Sequence, residues 1–552
     1  MTKVLTIGLD GVPLDLLIPW VEAGKLPTIA RLMEQGSFGN VNSTTPHTSG
    51  PAWTSFMTGK NPGKTGIYDF LRRQKDSYTF LPNNSRSRAA KSLWSLLSEE
   101  DKRVIVMNVP LTYPVEPVNG LVISGWMTPY GKTDFTYPPH LLEELEKEIG
   151  SYHIYPIETF SEKHPENFFS ASKKLLSMRT KTALHLMEKE DWDFFMTVFF
   201  DTDRMLHQVW HYLDEHHPLY EDHWNEDLAQ PVIEYFQAID HSIAQLVEKA
   251  GEDTNVVIMS DHGMGHCRNM IVLNTWLLQK GFLKLKRNPF TRLKRVLFNL
   301  GFTIRNVHRL ADSLNLARHA EYKMMYSADR LLKKVFLSFD DIDWSRSKAY
   351  SFGRSNGPIF INVKGREPEG IVEPGEEYEA IRREIASMAD QLIDPETGEV
   401  LVGQILWPED IYSGPFADEA PDLIFEPANQ GDKFYGLSDF GSNKVIHPFY
   451  RYTGMHRQHG LFILCGPDFS AGVDVKGAQI IDFAPTLLHA MGLPIPDDMD
   501  GRPWLEVFRG KKKESAVWAE TSSDGQSRKT EGYSQRDVSE IEDRLRKMGY
   551  LG

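Results

Sequence analysis

Apolar residues along this chain fall into short unbroken runs, each stopped by polar or glycine-containing turns. The runs are VLTIGL (4–9), VIVMNVP (104–110), LVISG (121–125), FFMTVFF (194–200), NVVIMS (255–260), DLIFEP (422–427) and LFILCG (461–466). β-Branched and aromatic runs of this length, with no polar alternation, predict strands buried on both faces. Helical periodicity fills the gaps, in LPTIARLMEQG, AAKSLWSLLSEED, PVIEYFQAIDHSIAQLVEKAG and DFAPTLLHAMG. The last two close on Gly251 and Gly492, which suits a left-handed helix stop. Strands alternating with helices predict an α/β fold with a mostly parallel central sheet and helices on both faces.

The pattern changes between about 271 and 410. GFLKLKRNPFTRLKRVLFNLGFTIRNVHRL interleaves Lys and Arg with Leu, Phe and Val, and the stretch continues through EYKMMYSADRLLKKVF. Strand-like residues return at AYSFGRSNGPIFINVKGRE. This segment reads as an insertion that caps a site on the core. Residues 1–270 and 411–508 are then two parts of one core, and 509–552 form a polar C-terminal tail with a short terminal helix. A basic amphipathic stretch can lie on a membrane surface, face an acidic substrate, or form a solvated helix face, which is the commonest of the three.

At 552 residues the chain exceeds one simple core, so one large domain with insertions or two to three domains is expected. Hydrophobic content of 41% with 25% charged residues is ordinary for a globular protein. A net charge of -15 argues against a nucleic-acid polymer as partner. It does not exclude a small phosphorylated substrate, because cations held locally outweigh a distant field. Cys267 and Cys465 lie far apart with no CxxC, so no disulfide framework is expected and a reducing compartment fits. The opening MTKVLTIGLDG enters a core strand without the marks of a secretory signal, and no run reaches about 18 consecutive apolar residues. Cytoplasmic localisation is the expectation.

The candidate chemistry stands where the runs break. Asp10 follows VLTIGL, Asp203 and His207 follow FFMTVFF, the pair Asp261–His262 follows VVIMS, and His456 lies in TGMHR. Ligands of open α/β sheets gather at the carboxyl ends of strands. A lone Asp there is usually a turn or helix-capping residue. Three of them, two with a nearby histidine, are harder to explain that way. Carboxylate oxygens and imidazole nitrogens together suit zinc or a neighbouring first-row metal. Six such groups exceed the needs of one tetrahedral ion, which points to two ions and to hydrolysis of phosphate-type esters. Asp203 and His207, four residues apart, share one helix face and can grip one ion. His211, a turn further, reads as a supporting or packing residue, Asp201 lacks a histidine at matching spacing, and His266 reads as close to the site without binding metal. The segment TTPHTSGPAWTSFMTG offers a hydroxyl nucleophile at Ser49, near a predicted helix N-terminus whose amides favour an oxyanion. Pattern alone does not separate Ser49 from Thr48.

LTIGLDG, SGPAWTSFMTGKNPGKTGIYDF, DTDRMLH, MSDHGMG, TGMHRQHG and IIDFAPTLLHAMGLPIPDDMDGRPW follow one another from residue 4 to about 504. Together they resemble the alkaline phosphatase superfamily, in particular its type I phosphodiesterase/nucleotide pyrophosphatase-like branch. The resemblance implies an alkaline phosphatase-like fold and two divalent ions, zinc first, with manganese or iron as substitutes. It matches Asp203, His207 and His456 to the ligands of one ion. Asp10, Asp261 and His262 match those of the other, with Ser49 as the nucleophile contacting it. His456 follows Gly-x as the family motif does, while His459–Gly460 resembles an HG form used elsewhere in the superfamily. Ala52 stands where nucleotide pyrophosphatases often carry Asn, and Thr65 where relatives often have His. The absence of the Arg of a C/S-x-P-x-R pattern argues against a sulfatase.

The implied activity is phosphodiesterase or nucleotide pyrophosphatase, acting on a small phosphate ester through a covalent phosphoseryl intermediate. A phosphomonoesterase, a phosphomutase and a glycan or lipid phosphotransferase would use the same core. The basic cap adds a membrane surface or lipid-linked substrate to the expected partners, and a non-catalytic scaffold is disfavoured by the intact ligand set.

Overall fold

A computed structural model describes residues 2–547 apart from 156–157, 159, 162–163, 218, 221–225, 314–334, 354–355, 437–439, 450–452, 521–527 and 529–532. Most of the predicted EYKMMYSADRLLKKVF stretch therefore lies outside the described residues.

The centre is an eight-stranded sheet in the order Ser37–Asn42, His459–Cys465, Thr254–Met259, Lys3–Leu9, Phe194–Phe199, Val104–Met107, Gly120–Ile123 and Thr136–Tyr137. The five strands from Thr254–Met259 to Gly120–Ile123 are parallel. His459–Cys465 joins them antiparallel and carries Ser37–Asn42 on its other edge. Six of the seven predicted runs form strands here, and both faces are buried because successive side chains alternate between them. Leu5, Ile7, Leu9, Phe195 and Ile258 pack on one face against helices Leu14–Glu22, Pro27–Gln35, Pro165–Lys189 and Glu226–Ala250. Val4, Val106, Met196 and Val257 pack on the other against Ser49–Thr58, Leu93–Glu99 and Phe483–Ala490. Each fully buried Leu, Ile or Phe contributes roughly 1.5–3 kcal/mol to holding these layers together.

The seventh run, DLIFEP, forms a strand elsewhere. Leu423–Pro427 pairs antiparallel with Pro358–Ile361 and Val402–Leu406 in a separate four-stranded sheet. That sheet has its own core, including Trp276, Phe282, Ile359, Ile361, Phe425 and Phe434. A three-stranded sheet of Asp432–Tyr435, Asn269–Val272 and Ile446–Pro448 adjoins it. Within the basic stretch Lys294 is turned inward, its Nζ 2.8 Å from Asp341 Oδ2, with both side chains 5% exposed. The C-terminal region is polar in sequence, yet its helix Gln535–Lys547 buries Ile541 and Leu545 in the core that holds Trp53.

Register brings the candidate residues level. Leu9 lies opposite Phe199 and Gly8 opposite Met259 on neighbouring strands. Asp10, Asp203 and Asp261 therefore emerge within a few residues of one another at the carboxyl ends of three adjacent strands. An antiparallel ribbon of Gly263–His266 and Gly454–Arg457, with Met264 opposite His456, brings the last histidine alongside.

Candidate metal centre

The cluster is built from turns that only some residues can make. Gly11 adopts φ +71°, and a Cβ there would lie 2.9 Å from Asp203 Oδ1. Glycine thus allows the first strand to turn while Asp10 and Asp203 stay close. Asp10 Oδ1 accepts from Ser49 Oγ at 3.3 Å and Oδ2 from the Trp53 indole N–H at 2.7 Å. Thr202 Oγ1 donates to the Asp10 carbonyl at 2.6 Å. Ser260 Oγ accepts from Val12 N at 2.9 Å and donates to the His262 carbonyl at 2.6 Å, which ties the first turn to the third.

Ser49 opens the helix Ser49–Thr58 and is fully buried, its Oγ 3.1 Å from His262 Nε2. Thr48 sits at the N-cap, where its buried Oγ1 makes no hydrogen bond among the described residues. Of the two hydroxyls, Ser49 is the one that contacts the cluster.

The histidines are oriented by backbone carbonyls. His207 Nδ1 donates to Gly454 O at 2.7 Å, His262 Nδ1 to Gly263 O at 3.0 Å and His456 Nδ1 to His47 O at 3.2 Å. A proton held at Nδ1 leaves each Nε2 as an inward-facing lone pair, the arrangement that fixes metal-ligating histidines. His207 Nε2 and His456 Nε2 are 2.9 Å apart and lie 3.4 and 3.2 Å from Asp203 Oδ1. Lone pairs that close repel unless a cation or proton lies among them. Asp10, Asp261 and His262 form a second group whose ligand atoms all lie within 4.8 Å of one another, as do those of Asp203, His262 and His456. His262 thus stands between the two groups, with its ring stacked 3.8 Å from that of His456.

The electrostatics fit a cation as well. Burial pushes the Asp10 carboxyl well above the usual range, reinforced by the charges of Asp261 and Asp203. Asp261 is raised by burial first, and its Oδ2 is buried with no hydrogen bond among the described residues. Burial also opposes ionisation of Asp203, and it is positive charge beside it, on the His207 side above all, that would hold it well below the usual range. Burial and the neighbouring His262 push His456 well below the usual imidazole value, so it is a neutral donor. Three carboxylates this dry need positive charge to remain ionised together. Carboxylate oxygens and imidazole nitrogens in two adjacent groups are the donor set that divalent zinc, manganese or iron would satisfy.

All seven residues singled out in the sequence, Asp10, Ser49, Asp203, His207, Asp261, His262 and His456, meet in this cluster. The other candidates do not. His459 is exposed opposite Asn42, and Asp201 pairs with Arg179 at 3.0 Å. His211 contacts Thr453 Oγ1 at 3.0 Å, and His266 lies 3.4 Å from Asp214 Oδ2. Sequence reasoning missed Trp53, although it lies four residues after Ser49 on the same helix. It also missed Lys433, whose Nζ is 3.0 Å from His47 Nε2 and whose pKa is lowered to about 7 by burial and by Arg457.

The fold and the family match are those of a phosphoester hydrolase of the alkaline phosphatase superfamily. More narrowly, residues 4–435 match the type I phosphodiesterase / nucleotide pyrophosphatase family, and the chain belongs to it. No curated protein matches the chain. Among solved structures it is similar to phosphonoacetate hydrolase from Sinorhizobium meliloti 1021, with 11% identity, TM-score 0.50, and 88% of this chain and 94% of that one covered. Human ectonucleotide pyrophosphatase / phosphodiesterase 5 shows 13% identity and TM-score 0.50 over 92% of this chain and 100% of that one. The murine protein of that name shows 12% identity and TM-score 0.51 over the same shares. At these identities the likeness is one of fold.

Proposed function

We propose that the chain is a two-metal phosphodiesterase or nucleotide pyrophosphatase that works through Ser49. The observation that carries this reading is the convergence of Ser49 Oγ, three carboxylates and three Nε2 lone pairs in one buried cluster. Asp203, His207 and His456 would hold one divalent ion, and Asp10, Asp261 and His262 the other. Zinc is the first choice for this mixed oxygen and nitrogen donor set, with manganese or iron as alternatives. Bound there, the ions would supply Lewis acidity, lowering the pKa of Ser49 and stabilising the leaving alkoxide.

The chain's own residues do the rest. Ser49 Oγ gives up its proton and bonds to phosphorus as the bond to one ester oxygen breaks, that oxygen leaving as the alcohol once protonated. Water then cleaves the Oγ–P bond, restoring the serine and releasing a phosphomonoester that keeps the second esterifying group. The amides at the start of helix Ser49–Thr58 favour the negative phosphoryl group. Trp53 and Thr202 hold Asp10 in place. Gly454, Gly263 and His47 keep the histidine tautomers fixed through their carbonyls.

A cleft of 1010 Å³ is lined by Pro46, in the loop before Ser49, and by Tyr68, Phe352, Arg366, Tyr378 and Phe416, though by none of the seven cluster residues. It has room for a second esterifying group, and the inserted unit at about 271–410, with its strand partner Leu423–Pro427, would select that group. A cytoplasmic setting completes the reading, in keeping with the two free buried cysteines.

The experiment is turnover of bis-p-nitrophenyl phosphate against p-nitrophenyl phosphate by metal-loaded protein, with Ser49→Ala as control. Faster turnover of the diester is expected. Ser49→Ala should lose on the order of a thousandfold while retaining its metal. Preference for the monoester would make the enzyme a phosphomonoesterase. Near-normal turnover by Ser49→Ala would remove the nucleophile assignment.

A further inference from the structure

Residues 271–310 carry nine Lys and Arg and no Asp or Glu, in a chain whose net charge is -15. Within them, the helix Pro289–Asn299 has three distinct faces. Thr291, Lys294 and Phe298 point inward and are buried. Arg292 and Arg295 are exposed on one flank. On the side turned away from the buried face runs a stripe of Phe290, Leu293 and Val296, 56%, 56% and 54% exposed, continued past the helix end by Leu300 at 78%. At 3.6 residues per turn these four positions share one side of the helix. Exposed Lys284, Lys286 and Arg287 lie just before it.

A solvated helix face has no use for four large apolar side chains in a row. A nucleic acid would reward the cations but not the stripe. An anionic bilayer rewards both: the stripe enters the acyl boundary while flanking Lys and Arg reach the lipid phosphates. We propose that this face docks the protein on an anionic lipid surface, with the helix lying in the interface. Among the described residues no helix is long and apolar enough to cross a membrane, so the contact is one of lying on the surface. Because the rest of the chain is acidic, electrostatic attraction would favour this orientation. None of the candidate metal ligands lies within 271–310, so the inference stands apart from the reaction proposed above.

The test is flotation of the full chain with vesicles of phosphatidylcholine alone and of phosphatidylcholine with phosphatidylglycerol, at low and high salt. Binding to the anionic vesicles is expected, weakening as salt rises. Leu293→Glu/Val296→Glu should lower partitioning by about tenfold or more. Arg292→Glu/Arg295→Glu should also lower it and flatten the salt dependence. Melting temperature and turnover of a soluble diester should stay unchanged. Leu300→Glu, at the most exposed position, repeats the test if the double variant does not fold. Three results would overturn the proposal: no binding to anionic vesicles at low salt, equal binding by the apolar variants, or a wild-type dimer that they convert to monomer. The last would assign the face to a second copy of the chain.

Discussion

Trp53→Phe isolates one hydrogen bond at the metal centre. Trp53 is fully buried, and its N–H reaches Asp10 Oδ2 at 2.7 Å. The indole passes so close to Gly8 that a Cβ there would lie 2.5 Å from the ring. A phenyl ring retains much of that packing but offers no donor. A hydrogen bond to a charged acceptor contributes about 1.5–3 kcal/mol, which corresponds to roughly ten- to 150-fold in an equilibrium constant. The loss should fall on metal affinity, because Asp10 would be left buried with one oxygen unrestrained. Chelator competition should therefore show affinity weaker by about ten- to 100-fold, while turnover at saturating metal changes only a few-fold. The smaller ring also costs stability, on the order of 1 kcal/mol. Phe56→Leu is the control: its ring lies 5.6 Å from Trp53 in the same core and contacts no candidate ligand. It should lower the melting temperature without affecting metal affinity. Unchanged affinity in Trp53→Phe, with a melting shift like that of the control, would reduce Trp53 to a packing residue.

Asp261→Asn and His207→Ala should each lower metal content as well as rate, with partial rescue by added zinc; mass spectrometry finding two ions in both variants would contradict the ligand assignment. Lys294→Met should cost about 3–5 kcal/mol by stranding the buried Asp341 carboxylate, whereas exposed Arg295→Met should stay within about 0.5 kcal/mol; equal denaturant midpoints would refute the contrast. Lys433 has its pKa pushed to about 7 in the fold, against the ordinary 10.5. Between those values the unfolded chain binds more protons, so Lys433 makes stability rise with pH there. The melting temperature of Lys433→Met should climb less between about pH 7 and 9 than that of the wild type, and parallel curves would dismiss the shift.

The fold was legible because burial on both faces leaves a mark in sequence: an unbroken apolar run. DLIFEP bears that mark and forms a strand, but a run does not encode which sheet receives it. The candidate ligands were legible for a related reason. A carboxylate or imidazole directly after a buried strand departs from the local pattern, whereas Lys294 looked like one more cation until its partner Asp341 came into view, 47 residues away. The groups that orient the histidines were not legible at all. They are main-chain carbonyls of Gly263, Gly454 and His47, and any residue supplies a carbonyl.

One of those carbonyls would also couple the proposed insertion to the centre. The ribbon that pairs Met264 with His456 joins the chain just after Asp261–His262 to the segment that carries the last histidine. Lys433, on a strand paired with Asn269–Val272, bonds to His47, whose carbonyl accepts the hydrogen bond from His456 Nδ1. A displacement of that strand would therefore reach His456 through two hydrogen bonds. The 1010 Å³ cleft is lined both by Phe352, Arg366 and Tyr378 and by Pro46, next to His47. On the proposed assignment, a group bound in that cleft would act on His456 through His47, a residue that is not itself among the candidate ligands.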